Sequence, residues 1–212
     1  MKTAILFDLD GTLLDTLADI HAAVNHSLAL RGYPERTLEE VRQFVGNGAE
    51  RLFDLAVPAG GDPRPSLEEF RRWYPEHCEE RTGPYEGIPE TLAVLGEKYP
   101  LAIVSNKPDP AVKPLCRKYF PGIFAIGESP ACPRKPAPDM VRRALEELGA
   151  DRCVYVGDSE VDVLTAKNAG VPCVSVLWGF RTRQEIAPWG ESVFCEDPRQ
   201  LPQIIEELLH GK

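Results

Sequence analysis

Ile5-Leu6-Phe7-Asp8-Leu9-Asp10-Gly11-Thr12-Leu13 is the stretch on which the reading of this chain turns. Ala4 to Phe7 is a short apolar run, as expected of a strand buried on both faces. It stops at two carboxylates one residue apart, then a glycine. Ligands gather at the carboxyl ends of parallel strands, so Asp8 and Asp10 fall where chemistry is normally done. Their spacing puts them on one strand face unless a turn has already begun. Gly11 permits such a turn and a close approach of main chain to a bound group. Two adjacent anions repel, and a divalent cation relieves the repulsion. A plain strand end capped by turn-forming Asp and Gly fits these residues too. A calcium loop does not, because its sixth position requires glycine and holds Leu13.

Beyond Thr12 the apolar period changes to that of a helix: Leu13, Leu17, Ile20, Val24 and Leu28, broken by Gly32. Thr37 with Glu40, and Ser66 with Glu69, read as capping boxes for further helices. Gly46-Asn47-Gly48 is a turn before a helix from Ala49, and Pro58 to Pro65 is a loop. Residues 15–85 thus carry helical patterns alone and read as an inserted all-helical cap. Residues 1–14 and 86–212 read as the core. In the core, strands at Leu101–Val104, Ile123–Ile126, Cys153–Val156, Cys173–Leu177 and Ser192–Cys195 alternate with helices. The expected fold is α/β, a doubly wound, mostly parallel Rossmann-like sheet carrying the cap.

What ends each strand matters most. The first stops at Asp8 and Asp10, the second at Ser105-Asn106, and a later one at Gly157-Asp158-Ser159 with Asp162 a helical turn on. Lys135, held beside prolines, lies in a loop between the last two. Parallel strands bring these ends to one edge of the sheet. Each residue has a chemical role if the substrate is a phosphate monoester. Hydrolysis of such esters needs acceleration of up to ~10²¹, on the order of 28 kcal/mol. A carboxylate nucleophile splits the reaction in two, and a second carboxylate protonates the leaving group. A metal ion and a lysine offset the repulsion between carboxylate and phosphate. Singly, Ser105-Asn106 could cap a helix, Lys135 could be a solvated charge, and Asp158 and Asp162 could serve a turn and a helix dipole.

Together, Phe7-Asp8-Leu9-Asp10-Gly11-Thr12, Val104-Ser105-Asn106, Lys135-Pro136 and Gly157-Asp158-Ser159-Glu160-Val161-Asp162 resemble the four motifs of the haloacid dehalogenase superfamily of phosphohydrolases. The resemblance implies Asp8 as nucleophile and Asp10 as acid/base. It implies Mg²⁺ on Asp8, the Asp10 main-chain carbonyl and Asp158, with Asp162 supporting them. Ser105 and Lys135 would hold the phosphoryl group, with Thr12 and Asn106 counted among the binding residues. Val45-Gly46-Asn47-Gly48-Ala49, Ser105-Asn106-Lys107-Pro108, Ala166-Lys167-Asn168-Ala169-Gly170 and Trp178-Gly179-Phe180-Arg181 resemble the phosphoglycolate phosphatases within it. That implies hydrolysis of 2-phosphoglycolate; the alternative is a phosphatase or mutase for another small phosphate, a sugar phosphate or pyrophosphate. Asn47 and Arg51 would then meet the substrate from the cap. Packing for Trp178 and Phe180, and a surface place for Arg51 and Arg181, are the plainer readings.

The formal charge of −9 argues against nucleic-acid or membrane partners and leaves a small anionic phosphate ester as partner, since a bound cation can reverse the local field. The N-terminal apolar run is too short for a leader or a span. The 6 cysteines are scattered, without a Cys-x-x-Cys pair, as expected in a reducing cytoplasm. The chain is expected to be a monomer or dimer. A phospho-accepting receiver is the competing class, but an insert of about 70 residues after the first strand is far beyond an ordinary loop.

Overall fold

Strand β1 (Thr3–Phe7) is buried along its whole length and lies inside a six-stranded sheet in the computed structural model, which describes residues 1–211. The chain then passes through β2 (Leu14–Asp15) and the helices α1 (Leu17–Ala29), α2 (Leu38–Phe44), α3 (Gly48–Ala56) and α4 (Arg64–His77). It returns through β3 (Gly83–Pro84), which pairs with β2, and α5 (Ile88–Gly96). Alternation follows: β4 (Leu101–Pro108), α6 (Asp109–Tyr119), β5 (Phe124–Glu128), α7 (Asp139–Leu148), β6 (Arg152–Gly157), α8 (Glu160–Ala169) and β7 (Cys173–Val176). A short α9 (Arg183–Ile186), the edge strand β8 (Val193–Cys195) and α10 (Leu201–His210) complete it.

Strand order is β5-β4-β1-β6-β7-β8, with parallel pairing throughout. This is the expected doubly wound, Rossmann-like α/β sheet. Ala4 and Leu6 of β1 enter one core with Met140, Val141 and Ala144 of α7 and Val163 and Ala166 of α8. Ile5 and Phe7 point to the opposite face by strand alternation and are equally buried. A strand covered on both faces needs the unbroken apolar run its sequence has.

Residues 1–14 and 84–211 form one compact unit and residues 15–83 another. In the second, α1 packs on α4 and α2, and α3 on α2 and α4. Its buried Asp19 accepts hydrogen bonds from the Arg81 and Thr82 N–H groups and from the Thr82 hydroxyl at 2.8–3.1 Å. That carboxylate ties the last turn of the unit to its first helix. Thr37 and Glu40 form the capping box expected of them.

Three local expectations fail for identifiable reasons. α1 begins at Leu17 rather than near Leu13, because the Leu9 carbonyl accepts from the N–H groups of Thr12, Leu13 and Leu14 and winds them into a tight turn. Ser66 does not cap α4. Pro65, which suits the first turn, lets the helix start at Arg64, and Glu69 pairs with His26 at 3.2 Å instead. β4 runs on past Ser105 to Pro108 after a break in register with β5, so Ser105-Asn106 is strand and not a helix cap. Gly127 permits this continuation: a Cβ there would lie 2.5 Å from the Lys107 carbonyl oxygen.

All six cysteines are buried, and burial pushes the Cys116, Cys153 and Cys173 thiols up to about 12 and Cys195 to about 11. Thiolate is the reacting form, so the native chain should leave a disulfide dye essentially unreacted at about pH 8. Denaturant should release all 6 thiols. Rapid labelling of the native chain would contradict this packing.

Candidate active site

β4, β1 and β6 lie side by side, and Phe7 is in register with Ile103 and Val156. Their carboxyl ends therefore meet at Asp8, the Ser105–Lys107 stretch and Asp158. The Asp8 N–H still donates to the Val156 carbonyl at 2.9 Å, and the turn starts at once after it. Gly11 takes φ +83°, a conformation that side-chain-bearing residues resist. Asp8 and Asp10 consequently do not share a strand face. Asp8 meets Lys135, whereas Asp10 meets Lys107.

Lys135 is the most committed side chain at this edge. Its Nζ lies 2.8 Å from Asp8 Oδ1 and 2.8 Å from Asp162 Oδ1, with the lysine side chain 1% exposed. Asn106 grips the lysine's main chain from both sides: its Oδ1 accepts from the Lys135 N–H at 2.6 Å and its amide donates to the Lys135 carbonyl at 3.1 Å. Asp162 is fixed in turn as the third residue of the α8 capping box, its Oδ2 accepting from the Ser159 N–H and hydroxyl. Tyr155 donates to Asp162 Oδ1 at 3.3 Å. Burial disfavours the Lys135 ammonium, yet Asp162 and Asp8 outweigh it and hold its pKa well above the usual lysine value.

Asp158 is buried at the end of β6 and accepts from the Thr12 hydroxyl at 3.0 Å and the Phe180 N–H at 2.7 Å. Glycines make room for it. A Cβ on Gly11 or Gly179 would stand 2.5 Å from its Oδ2, and one on Gly157 would stand 2.2 Å from Asp162 Cγ. Burial, then the Asp162 charge, pushes Asp158 up to about 7, and burial with the charges of Asp162 and Asp158 raises Asp8 against the pull of Lys135. The edge thus carries more negative charge than Lys135 balances.

Asp8, Asp158 and Asp162 each offer an oxygen, all within 4.8 Å of one another, in a group able to hold a metal ion. Both Asp162 oxygens accept hydrogen bonds, from Lys135 and Ser159, and so do both Asp158 oxygens, from Thr12 and the Phe180 N–H. Hard, buried oxygen donors with surplus negative charge fit a divalent cation such as magnesium.

The remaining expected residues divide. Ser105 is buried and its Oγ accepts from the Lys107 N–H at 3.2 Å, leaving its proton for another acceptor. The Thr12 proton serves Asp158, and Asn106 clamps Lys135, so these two position other groups. In the helical unit, Arg51 is exposed on α3 and Asn47 precedes that helix without a side-chain cap bond. Arg181, expected at the surface, is buried and pairs with Glu160 at 3.3 Å. Trp178 donates to the Thr12 carbonyl at 3.0 Å, holding the turn after Asp10, and Phe180 is buried.

Sequence reasoning misses Lys107 and Tyr155. The signals that point to Lys107 are its place in the Ser105-Asn106-Lys107-Pro108 stretch and its position two residues beyond Ser105 on what is a single strand.

The family described as haloacid dehalogenase-like hydrolase matches residues 5–176, and the chain belongs to that family of enzymes. Among curated relatives, it is 38% identical to a phosphoglycolate phosphatase of Rhodobacter capsulatus, over 97% of this chain and 98% of the relative. It is 33% identical to an N-acetylmuramic acid 6-phosphate phosphatase of Pseudomonas aeruginosa, over 97% and 96%. A crystal structure of a candidate phosphoglycolate phosphatase from Lactobacillus delbrueckii subsp. bulgaricus superposes with a TM-score of 0.90 at 34% identity, covering 100% of both chains.

Without metal, the folded chain holds a proton on Asp158 that the unfolded chain releases, its pKa rising from the ordinary 3.8 to about 7. The folded state then binds more protons, so stability should fall as pH rises through that window. The displacement corresponds to on the order of 4 kcal/mol between protonation states. Thermal midpoints in chelator should decline from about pH 5 to about pH 8, and Asp158→Asn should flatten the slope. An unchanged slope in the variant would assign the dependence elsewhere.

Proposed function

We propose that this enzyme is a magnesium-dependent phosphomonoester hydrolase acting through an aspartyl-phosphate on Asp8, with 2-phosphoglycolate as its preferred substrate. The observation that carries the reading is the Lys135 ammonium, 2.8 Å from Asp8 at the edge that also holds Asp158. An approaching phosphate repels the Asp8 carboxylate by roughly 4 kcal/mol per charge pair at ~4 Å and an effective dielectric of ~20. A fixed ammonium beside both opposes that by a similar amount. Magnesium on Asp8, Asp158 and the Asp10 main-chain carbonyl would supply further positive charge for the phosphoryl oxygens.

Asp8 Oδ1 is engaged by Lys135 and by the Leu9 N–H at 2.7 Å, which leaves Oδ2 as the attacking oxygen. Oδ2 forms a bond to phosphorus as the bridging P–O bond breaks. The leaving alkoxide takes a proton from Asp10 and departs as the alcohol. Water then attacks the phosphorus, giving its proton to Asp10, and the acyl-phosphate P–O bond breaks to restore Asp8 and release phosphate. Ser105, with its hydroxyl proton available, donates to a phosphoryl oxygen.

The Rhodobacter capsulatus relative supports phosphoglycolate, and the Pseudomonas aeruginosa relative, nearly as similar, supports a sugar phosphate as the second reading. The helical unit is read as the cap, with Asn47 and Arg51 as its substrate contacts. Buried cysteines that form no disulfide among the described residues support a reducing compartment, the cytoplasm. No helix among the described residues is long and apolar enough to cross a membrane. Family membership replaces the receiver alternative.

Asp8→Asn should abolish turnover of 4-nitrophenyl phosphate without altering the far-UV circular dichroism, and chelator should do the same reversibly. Asp10→Asn should cost ~10²- to 10⁴-fold in kcat, as removal of a general acid does. Ranking phosphoglycolate, sugar phosphates and pyrophosphate by kcat/KM decides between the two substrates. Near-normal turnover by Asp8→Asn would refute the mechanism.

A further inference from the structure

We propose that Trp178 is a positioning residue for the metal ligands: by closing a ring of hydrogen bonds it fixes Asp158 against the turn that carries the Asp10 carbonyl, and so makes the site selective for magnesium over calcium. This rests on the magnesium-dependent reading above. It also gives a role to the Trp178-Gly179-Phe180-Arg181 stretch, which that reading leaves without one.

Three segments meet here. The Trp178 indole N–H donates to the Thr12 carbonyl at 3.0 Å. The Thr12 hydroxyl donates to Asp158 Oδ1 at 3.0 Å, and the Phe180 N–H donates to Asp158 Oδ2 at 2.7 Å. Trp178 and Phe180 belong to one loop, so these bonds close on themselves: the loop holds the turn, the turn holds Asp158, and Asp158 is held by the loop. Gly179 lies between the two donors. A Cβ there would collide with the Gly11 carbonyl and with Asp158, so the loop rests directly on both. Its two ends are anchored as well. Before it, the Leu177 N–H donates to the Cys195 carbonyl at 2.9 Å; after it, buried Arg181 pairs with Glu160 of α8 at 3.3 Å.

Each Asp158 oxygen accepts one of these hydrogen bonds and keeps a further lone pair for a cation. The Asp10 carbonyl stands two residues ahead of Thr12, in the turn that the Leu9 carbonyl winds. The turn's own bonds fix its shape, and the ring fixes its distance from Asp158. An ion with strict coordination geometry profits from that fixed spacing. Magnesium demands near-ideal octahedral positions at ~2.0–2.1 Å, whereas calcium accepts oxygens at ~2.3–2.6 Å in flexible arrangements. Loosening the ring therefore costs magnesium more than calcium. An indole that served packing alone would carry no such preference: its loss would destabilise the fold and leave the choice of ion unchanged.

The test measures magnesium and calcium binding separately, by calorimetry on chelator-treated protein. Trp178→Phe keeps an aromatic ring and removes the N–H. It should weaken magnesium binding by about tenfold, as loss of an outer hydrogen bond to a metal site does, and calcium binding by less, so the ratio of the calcium to the magnesium Kd falls. A ratio of constants is insensitive to the fraction of variant that folds. Thr12→Val opens the same ring at its hydroxyl and should lower the ratio likewise. In that background Trp178→Phe should add little further loss, since the ring is already open. An unchanged ratio in Trp178→Phe, or full additivity of the two substitutions, would overturn the assignment. If the wild type bound neither ion, the magnesium reading itself would fail.

Discussion

An ammonium held between two buried carboxylates is the constraint from which the rest of this edge follows. Lys135 could not remain charged at 1% exposure without Asp8 and Asp162, and neither carboxylate would be tolerated so deep without it. Keeping three side chains from three separate segments at 2.8 Å demands support from each. α8 provides it through a capping box that orients Asp162, and β4 through Asn106, which seizes the lysine's main chain. A helix cap and a strand-borne amide, both ordinary local devices, thereby become part of the site.

Asp158 adds a tension that this triad does not resolve. It lies buried near two other acids, and the donors turned on it, Thr12 and the Phe180 N–H, lower its pKa less than burial and Asp162 raise it. Gly11, Gly157 and Gly179 line this place so closely that a methyl on any of them would collide with a carboxylate. Negative charge concentrated in a rigid, full pocket lowers stability, and such concentration is what an oxygen-ligand cation site requires.

The features legible in the sequence are those set by local period and by what ends each strand. Buried strands read as apolar runs, helix ends as glycines at 149 and 170, and both glycines are left-handed C-caps. Asp8, Lys135, Asp158 and Asp162 could be grouped because parallel topology puts strand ends together. What escaped depends on pairing between distant segments. The extension of β4 follows from its partner β5 and the bare backbone at Gly127, and the late start of α1 from a carbonyl that gathers three N–H groups. Buried Arg181, in the loop before α9, pairs with Glu160 at the start of α8, a partner that no period reveals. Thr12 and Asn106 were recognised as belonging to the site, but their partners give them positioning work.

Two buried lysines at this edge divide the acids that follow β1 between them. Lys135 has two carboxylates at 2.8 Å and a main chain clamped by Asn106. Its position costs several interactions to alter, which suits a charge that must meet every phosphate identically. Lys107 is almost as buried, but its carboxylate approaches at 3.2 Å without hydrogen-bond geometry. The short sequence Asp8-Leu9-Asp10 thus hands its first acid to Lys135 and its second to Lys107. The turn that separates the two acids is what makes this division possible, since on one strand face both would have competed for the same lysine.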